Sequence, residues 1–431
     1  MALSGTQPGP IELPVDPSAA DLRAAVRSWV RDRVPEPWRN AAEQGGRSAI
    51  RQVRSRADYE KWYPVFAASG LVVPTWKLEY GGLGLSAELA KEAEALLRPY
   101  NLGRLNPLGL NNAAAPLLAH GTEAQRLRFL PPIVRNEEFW CQMFSEPGAG
   151  SDLASLATTA VLAGEEWSVT GQKVWTTWGF KADYAVLLAR TDKTLPKRAG
   201  ITFFLLDLHQ PGVDIRPLRH ISGEEDFCEV FLDNARIPDS MRVGVVNGGW
   251  SVAAATLAGE RQMVAGSDSG GVGRIGGAGV GALIELAHRL SAQGRPGGWD
   301  DPQVRQELMR LYSDEQARAW TNQRVRAQLK TGRPVGPESS IAKVHQSLLN
   351  QRIQLMAVDM LGAYGAAWRS EAATYAESLP LEVKGMLRSR ANTIEGGTTE
   401  VNKNILGERV LGLPREPDPW HGKPWSETPR S

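Results

Sequence analysis

The densest run of chemistry-bearing residues is Phe144-Ser145-Glu146-Pro147-Gly148-Ala149-Gly150-Ser151-Asp152. A proline and three small residues in so short a span make a tight loop whose backbone N–H groups stay open to a ligand. Ser145 and Ser151 add hydroxyls that donate or accept. A plain surface turn is the competing reading of the same composition. Downstream, Trp175-Thr176-Thr177 sets a large aromatic plane beside hydroxyls; the competing reading is a core Trp on a strand. Other constellations lead nowhere. Gly271-Val272-Gly273-Arg274-Ile275-Gly276 fits G-x-G-x-x-G, but a dinucleotide fingerprint follows a strand and the preceding text is helical. A close helix–helix contact through small residues is expected there instead. The six histidines, among them His120, His220 and His345, share no metal-ligand spacing. Neither a Walker loop nor a Ser/His/Asp elbow occurs.

The elements that must position these groups follow from the whole chain. Its 431 residues exceed what one compact core holds, so two or three packed domains are expected. Hydrophobic residues at 42% and charged residues at 23% are the profile of an ordinary soluble globular protein. Forty-nine Lys and Arg against 48 Asp and Glu leave a formal charge of +1, so no global field draws the protein to nucleic acid or an anionic membrane. A local basic patch for a nucleotide phosphate remains compatible with that balance. Cys141 and Cys228 are the only cysteines, too few for a disulfide framework and in no C-x-x-C spacing. They are expected to be small buried apolar residues, and a reducing cytoplasm fits best. The N-terminus has no basic stretch followed by an apolar one, so no signal peptide is expected, and no apolar run is long enough to span a bilayer.

The first ~15 residues, rich in Pro and Gly, read as a flexible leader. Ser18-x-x-Asp21 marks a helix start, with Leu22, Ala25, Val26 and Trp29 at helical spacing. Further helices are expected from Tyr59 to Ala68, Ser86 to Leu97, Pro107 to His120 and Glu123 to Val134. The period then changes. TTAVLA, WSVT, KVWTT, DYAVLLA, ITFFLLDL and CEVFLDN, punctuated at Gly164 and Gly171, predict antiparallel strands between 139 and 244. From Trp250 the helical period returns in four long amphipathic runs suited to a bundle. The Pro-rich tail after Leu413 reads as irregular. The expected domains are 1–138 helical, 139–244 β and 245–431 helical.

At this point the chain resembles the acyl-CoA dehydrogenase family across nearly its whole length. FSEPGAGSD is similar to the family's T/S-E-P-x-A-G-S-D loop, and GQKVWTTWGFKADYAVLLART to its G-x-K-x-W-I-T-N…A-D…A-R-T segment. EGGTTE resembles the C-terminal Gly-Thr-Ser-Glu stretch, LGAYG the turn before it, and ERVLGLPREP the ending of many bacterial members. The resemblance implies an α+β fold: an N-terminal helical domain, a middle antiparallel β-barrel or sandwich domain, and a C-terminal four-helix bundle. It also implies an FAD enzyme that oxidises the Cα–Cβ bond of an acyl-CoA thioester and passes electrons to an electron-transfer flavoprotein. By the same resemblance Gln142, Phe144 and Ser145 line the flavin ring, and Ser151 contacts FAD or the thioester. Trp175 and Thr177 cover the flavin face and N5, a sensible pairing for an indole and a hydroxyl. Thr398 and Glu400 reach the FAD phosphates or adenosine. The Leu361–Gly365 turn would approach the cofactor of a neighbouring subunit in a homotetramer, or in a heterotetramer with a related chain.

The reaction needs a carboxylate over Cα, opposite the flavin, in an apolar pocket that raises its pKa. Two family positions supply it. One precedes the C-terminal Gly-Thr pair; here Glu395 falls one residue early and Gly396 takes the place. The other lies on the helix opening the last domain, where Glu260-Arg261 matches the Glu-Arg of some members. Glu260 is therefore the expected base, Arg261 a CoA contact, and Glu395 the reserve. The family's Arg-x-x-Phe-Gly, whose Arg reaches the partner's FAD, is missing, and Arg289, Arg295 and Arg305 are equal candidates to replace it. Two other readings remain: an FAD-binding but silent subunit of a hetero-oligomer, and a flavin monooxygenase or oxidase on the same scaffold. The acyl chain, whether straight, branched, aromatic or steroid-derived, is not legible.

Overall fold

The computed structural model describes residues 9–265, 279–330, 336–369 and 371–429; side chains at 47, 48, 258–265, 326, 328–330 and 339 lie outside the description. Helix α1, Ala19–Arg33, starts at the expected capping box: the Asp21 N–H donates to Ser18 Oγ at 3.2 Å, and the Ser18 N–H to Asp21 Oδ2 at 3.0 Å. Leu22, Val26, Trp29 and Val30 form its buried stripe. Helices α2 (Glu36–Val53), α3 (Arg56–Ala68), α4 (Ala87–Leu97), α5 (Ala114–His120) and α6 (Glu123–Arg135) complete the first helical unit. A single π-helical stretch, Gly109–Ala113, leads into α5. The leader needs correcting. Ile11 is buried and its N–H donates to the Ser69 carbonyl at 3.1 Å, because an apolar residue in Pro-rich text still gains by filling a groove.

Strands β1 (Trp140–Met143), β2 (Thr159–Ala163), β3 (Glu166–Thr177), β4 (Tyr184–Arg190), β5 (Ile201–Asp207), β6 (Val213–Leu218), β7 (Phe227–Pro238) and β8 (Arg242–Val243) form one sheet. Their order is β6-β7-β3-β2-β4-β5-β8, with β1 alongside β4. Most pairs are antiparallel, but β1 runs parallel to β4 and β2 touches β4 in parallel at Thr159 and Arg190. Gly171 is not a turn. It sits inside β3 at a register shift, where a Cβ would drive into Thr158. Pro217 is tolerated because β6 is an edge strand. On β4 and β5 the pleat splits the burial. Ala185, Leu187, Phe204 and Leu206 enter the sheet's own core, whereas Val186, Leu188, Phe203 and Leu205 pack with the helical unit. Covered on both faces, these strands read as unbroken apolar runs.

Helices α7 (Gly249–Ala265), α8 (Val280–Ala292), α9 (Pro302–Lys330) and α10 (Ser339–Leu361) make the bundle. Leu283, Leu286, Leu290, Leu308, Leu311, Leu349 and Ile353 are in its core. Short helix α11 (Tyr375–Ser378), α12 (Leu381–Ser389) and α13 (Thr399–Arg409) follow. Both cysteines are free and buried. Among the described residues no helix is long and apolar enough to cross a membrane. Gly271–Gly276 falls outside the described residues.

Candidate active site

The loop Phe144–Asp152 owes its shape to one buried ion pair. Glu146 accepts from the Ala157 and Thr158 N–H groups at 2.6 and 2.9 Å, and from Lys173 Nζ at 2.8 Å. Lys173, fully buried on β3, also donates to the Phe144 carbonyl at 3.1 Å. Burial pushes the Glu146 carboxyl up, but Lys173 and the N–H donors outweigh it and hold it below its ordinary range. Burial likewise pushes the Lys173 ammonium down, with Glu146 opposing. Exposed positions follow: Pro147, Gly148, Gly150 and Ser151 face solvent, and Ser145 is half-buried. Phe144 turns its ring into the core, edge-on to Phe203 at 6.0 Å. Gln142 accepts from Asn112 Nδ2 at 2.6 Å.

Next to this loop, β3 breaks step. The Val174 N–H donates to the Ser145 carbonyl at 3.0 Å, and the ladder with β7 shifts register between Lys173 and Thr176. Trp175 takes the left-handed region (φ 62°), a costly conformation for a bulky residue, and leaves its indole 54% exposed. Thr176 is buried with a hydroxyl that finds no hydrogen-bond partner. Thr177, opposite Phe227 in the ladder, is half-buried.

Phe227 links the sheet to the bundle. Its ring meets Trp175 edge-on at 5.6 Å, and the Arg388 guanidinium lies 5.8 Å from its centre. Arg388 Nη2 in turn pairs with Glu395 at 3.0 Å, and Asn392 Nδ2 donates to the same carboxylate at 2.9 Å. Gly396 and Gly397 follow, both left-handed, at φ 64° and 84°. Thr398 then caps α13, accepting from the Val401 N–H at 3.1 Å, with Glu400 exposed in the first turn. The neighbouring Thr399 hydroxyl is buried without a partner. The start of α13, two left-handed glycines and the orphaned Thr399 hydroxyl make a cradle that fits a phosphate group. Behind it, Lys343 and Ser347 of α10 donate to the Asn392 carbonyl at 2.8 and 2.6 Å.

Helix α7 closes the group. Thr256 Oγ1 donates to the Asn112 carbonyl at 3.1 Å, so α7, the π-helical stretch and Gln142 form one connected unit. Val252 and Thr256 are buried on α7, and the backbone of that helix continues through position 260. Side chains of Glu260 and Arg261 lie outside the description. Of the three candidate arginines, Arg289 is exposed on α8, and Arg305 donates to the Trp299 carbonyl at 2.7 Å. Arg295 stacks 3.8 Å from the Tyr364 ring of the Leu361–Gly365 turn, and its buried Nε and Nη2 find no hydrogen-bond partner. Sequence reasoning missed Asn112, Lys173, Phe227 and Arg388. Only Lys173 had a signal, a charge within a strand pattern.

Three family models match in order: acyl-CoA dehydrogenase N-terminal domain at residues 16–137, middle domain at 141–235 and C-terminal domain at 247–411. Acyl-CoA dehydrogenase IpdE1 of Mycobacterium tuberculosis is 36% identical over 92% of this chain and 98% of its own. The chain belongs to the acyl-CoA dehydrogenase family. Acyl-CoA dehydrogenase FadE34 of the same organism is 38% identical over 83% of this chain, which matches 46% of that longer protein. Among solved structures, the Tcur3481-Tcur3483 steroid ACAD superposes with TM-score 0.69 at 26% identity, covering 94% of this chain and all of that one. The ChsE4-ChsE5 complex of M. tuberculosis gives TM-score 0.67 at 27% identity over 94% and 100%. This acyl-CoA dehydrogenase is thus an oxidoreductase of a flavoprotein family, with the helical–sheet–helical architecture its sequence implied.

Proposed function

We propose that this acyl-CoA dehydrogenase binds FAD and converts an acyl-CoA thioester to its trans-2-enoyl-CoA, passing electrons to an electron-transfer flavoprotein. The observation that carries the reading is the Trp175–Phe227–Arg388–Glu395 chain of contacts, which brings a strained, outward-held indole to the glycine turn that opens α13. Trp175 and Thr177 flank the ring site, with Gln142 and Ser145 beside it and Phe144 contributing through its backbone. Thr398, Glu400 and the α13 N-terminus take the phosphate end. When bound, the flavin supplies the acceptor for the hydride leaving Cβ. Glu260 takes the Cα proton, Ser151 and Arg261 hold the CoA thioester, and Glu395 is a positioning group. The support for that division is geometric: the Glu395 carboxylate is engaged by Arg388 at 3.0 Å and by Asn392 at 2.9 Å, at the turn before α13. Arg295 is the arginine assigned to a neighbouring subunit's cofactor, because it stacks on Tyr364 of the turn expected there. The domains divide at 138/139 and 244/245.

A second reading, a silent subunit of a hetero-oligomer, is favoured by one observation: Gly396 stands at a position where other members carry the base. Expression of the chain alone separates the two. The expected result is a yellow tetramer whose oxidised-flavin absorbance is lost anaerobically on mixing with at least one of a panel of straight, branched, aromatic and steroid side-chain acyl-CoAs, with enoyl-CoA formed. Yellow protein inert to the whole panel supports the silent subunit. Protein that takes up no flavin, even with a co-expressed related chain, removes the flavin reading.

A further inference from the structure

Beyond α13 the chain runs exposed through residues 410–423 and then returns to the sheet. Trp425 is only 2% exposed, and Thr428 is buried beside it. The Trp425 N–H donates to the Leu195 carbonyl at 2.8 Å and the Ser426 N–H to the Lys193 carbonyl at 3.0 Å, while Pro424 forms a bridge with Pro196. The tail is therefore docked, although its Pro-rich text forms no long element.

What it docks on is the turn that directly follows the Phe144–Asp152 loop. The Trp425 ring lies over the guanidinium of Arg190, with Cζ 4.6 Å from the ring centre. Arg190, at the end of β4, is itself 1% exposed. It donates to the Ala154, Leu156 and Lys197 carbonyls at 2.6, 3.0 and 3.0 Å. Trp425 Nε1 donates to the carbonyl between the first two, that of Ser155, at 3.2 Å. Three consecutive carbonyls, 154 to 156, are thus held by one stacked Arg–Trp pair. The next two N–H groups, of Ala157 and Thr158, are those that bind Glu146. On its leading side the same turn is tied by Asp152, which accepts from Ser155 Oγ at 2.5 Å and Lys197 Nζ at 2.7 Å. Removing the indole would uncover a buried guanidinium and free the Ser155 carbonyl together, which loosens the segment immediately after Ser151.

We propose that Pro424–Thr428 is a clasp and Trp425 a positioning residue: through Arg190 and Ser155 the C-terminal tail holds the trailing end of the loop in the shape that presents Ser145 and Ser151 to ligand. The link to ligand rests on the flavin and acyl-CoA reading; the clasp itself does not. The test uses the full-length Trp425→Ala and Trp425→Phe proteins and a chain ending at Leu413, with and without a synthetic peptide of residues 414–431. Hydrogen exchange of amides 153–158, measured with and without FAD, should accelerate about tenfold in Trp425→Ala. KM for an acyl-CoA oxidised by the wild type should rise roughly fivefold or more, with kcat within about twofold. Trp425→Phe, which keeps the stacking but loses the indole N–H, should fall between, and the peptide should restore slow exchange to the shortened chain. Exchange and KM within about twofold of wild type in Trp425→Ala overturn the clasp. If that variant does not fold, unchanged exchange in Trp425→Phe and in the shortened chain overturns it equally. Protein that binds no flavin in any form sinks the flavin reading, while the exchange result still decides the clasp.

Discussion

At the scale of single residues, the Glu146–Lys173 pair shapes the loop. Removing one member of a buried pair leaves the other charge uncompensated, so Glu146→Gln should lose about 3–5 kcal/mol of stability near pH 7. The sign of its pH dependence follows from the depressed carboxyl. Glu146 contributes its stabilisation above the ordinary carboxyl value of 4.5 and loses it as pH falls through the lower folded value. The gap between wild type and variant in urea melts should therefore narrow as pH drops from 5 toward about 3. A gap constant across that window would show that folding does not depress the Glu146 carboxyl. The loop motif and Trp175 were singled out through resemblance to the family's motifs, since the residues alone left a plain turn and a core Trp open. Lys173 as the loop's anchor was not, since its partner lies 27 residues away and only the sheet brings them together.

At the scale of elements, the glycine turn before α13 decides how that helix start is presented. Gly397 has φ 84°, and a Cβ there would lie 3.1 Å from Asn402 Nδ2, which itself donates to the Gly397 carbonyl at 3.0 Å. Gly397→Ala should cost about 1–2 kcal/mol, read as a lower melting temperature, and should weaken FAD retention with it. A loss of stability with undiminished cofactor binding would detach the turn from the site. The same scale shows where period reading fails. Helix α10 buries an apolar face, Leu349 and Ile353, and a polar one, Lys343, Ser347 and Asn350, which holds Asn392 behind the turn. Polar residues of that kind read as solvent-facing. Gly171 read as a turn because the text cannot distinguish a bulge from a hairpin. The capping box of α1 was legible because both partners lie within four residues.

At the scale of the molecule, the order of helices, sheet and helices was legible from the change of hydrophobic period alone. How the units meet was not: the Thr256–Asn112–Gln142 connection, the Phe227 bridge and the returning tail all join positions far apart in sequence. Outward faces also remain apolar. Trp320 and Tyr312 on α9, and Leu348 and Leu355 seven apart on α10, are exposed in the single chain. The proposed reaction needs all three units together, with the sheet and glycine turn holding the cofactor and α7 carrying the base. The decisive measurement is anaerobic flavin reduction by a competent acyl-CoA in Glu260→Gln, beside Glu395→Gln. Glu260→Gln should keep its FAD and bind the thioester yet reduce at least ~10³-fold more slowly, while Glu395→Gln changes the rate far less. Near-normal bleaching in Glu260→Gln would contradict the assignment of the base.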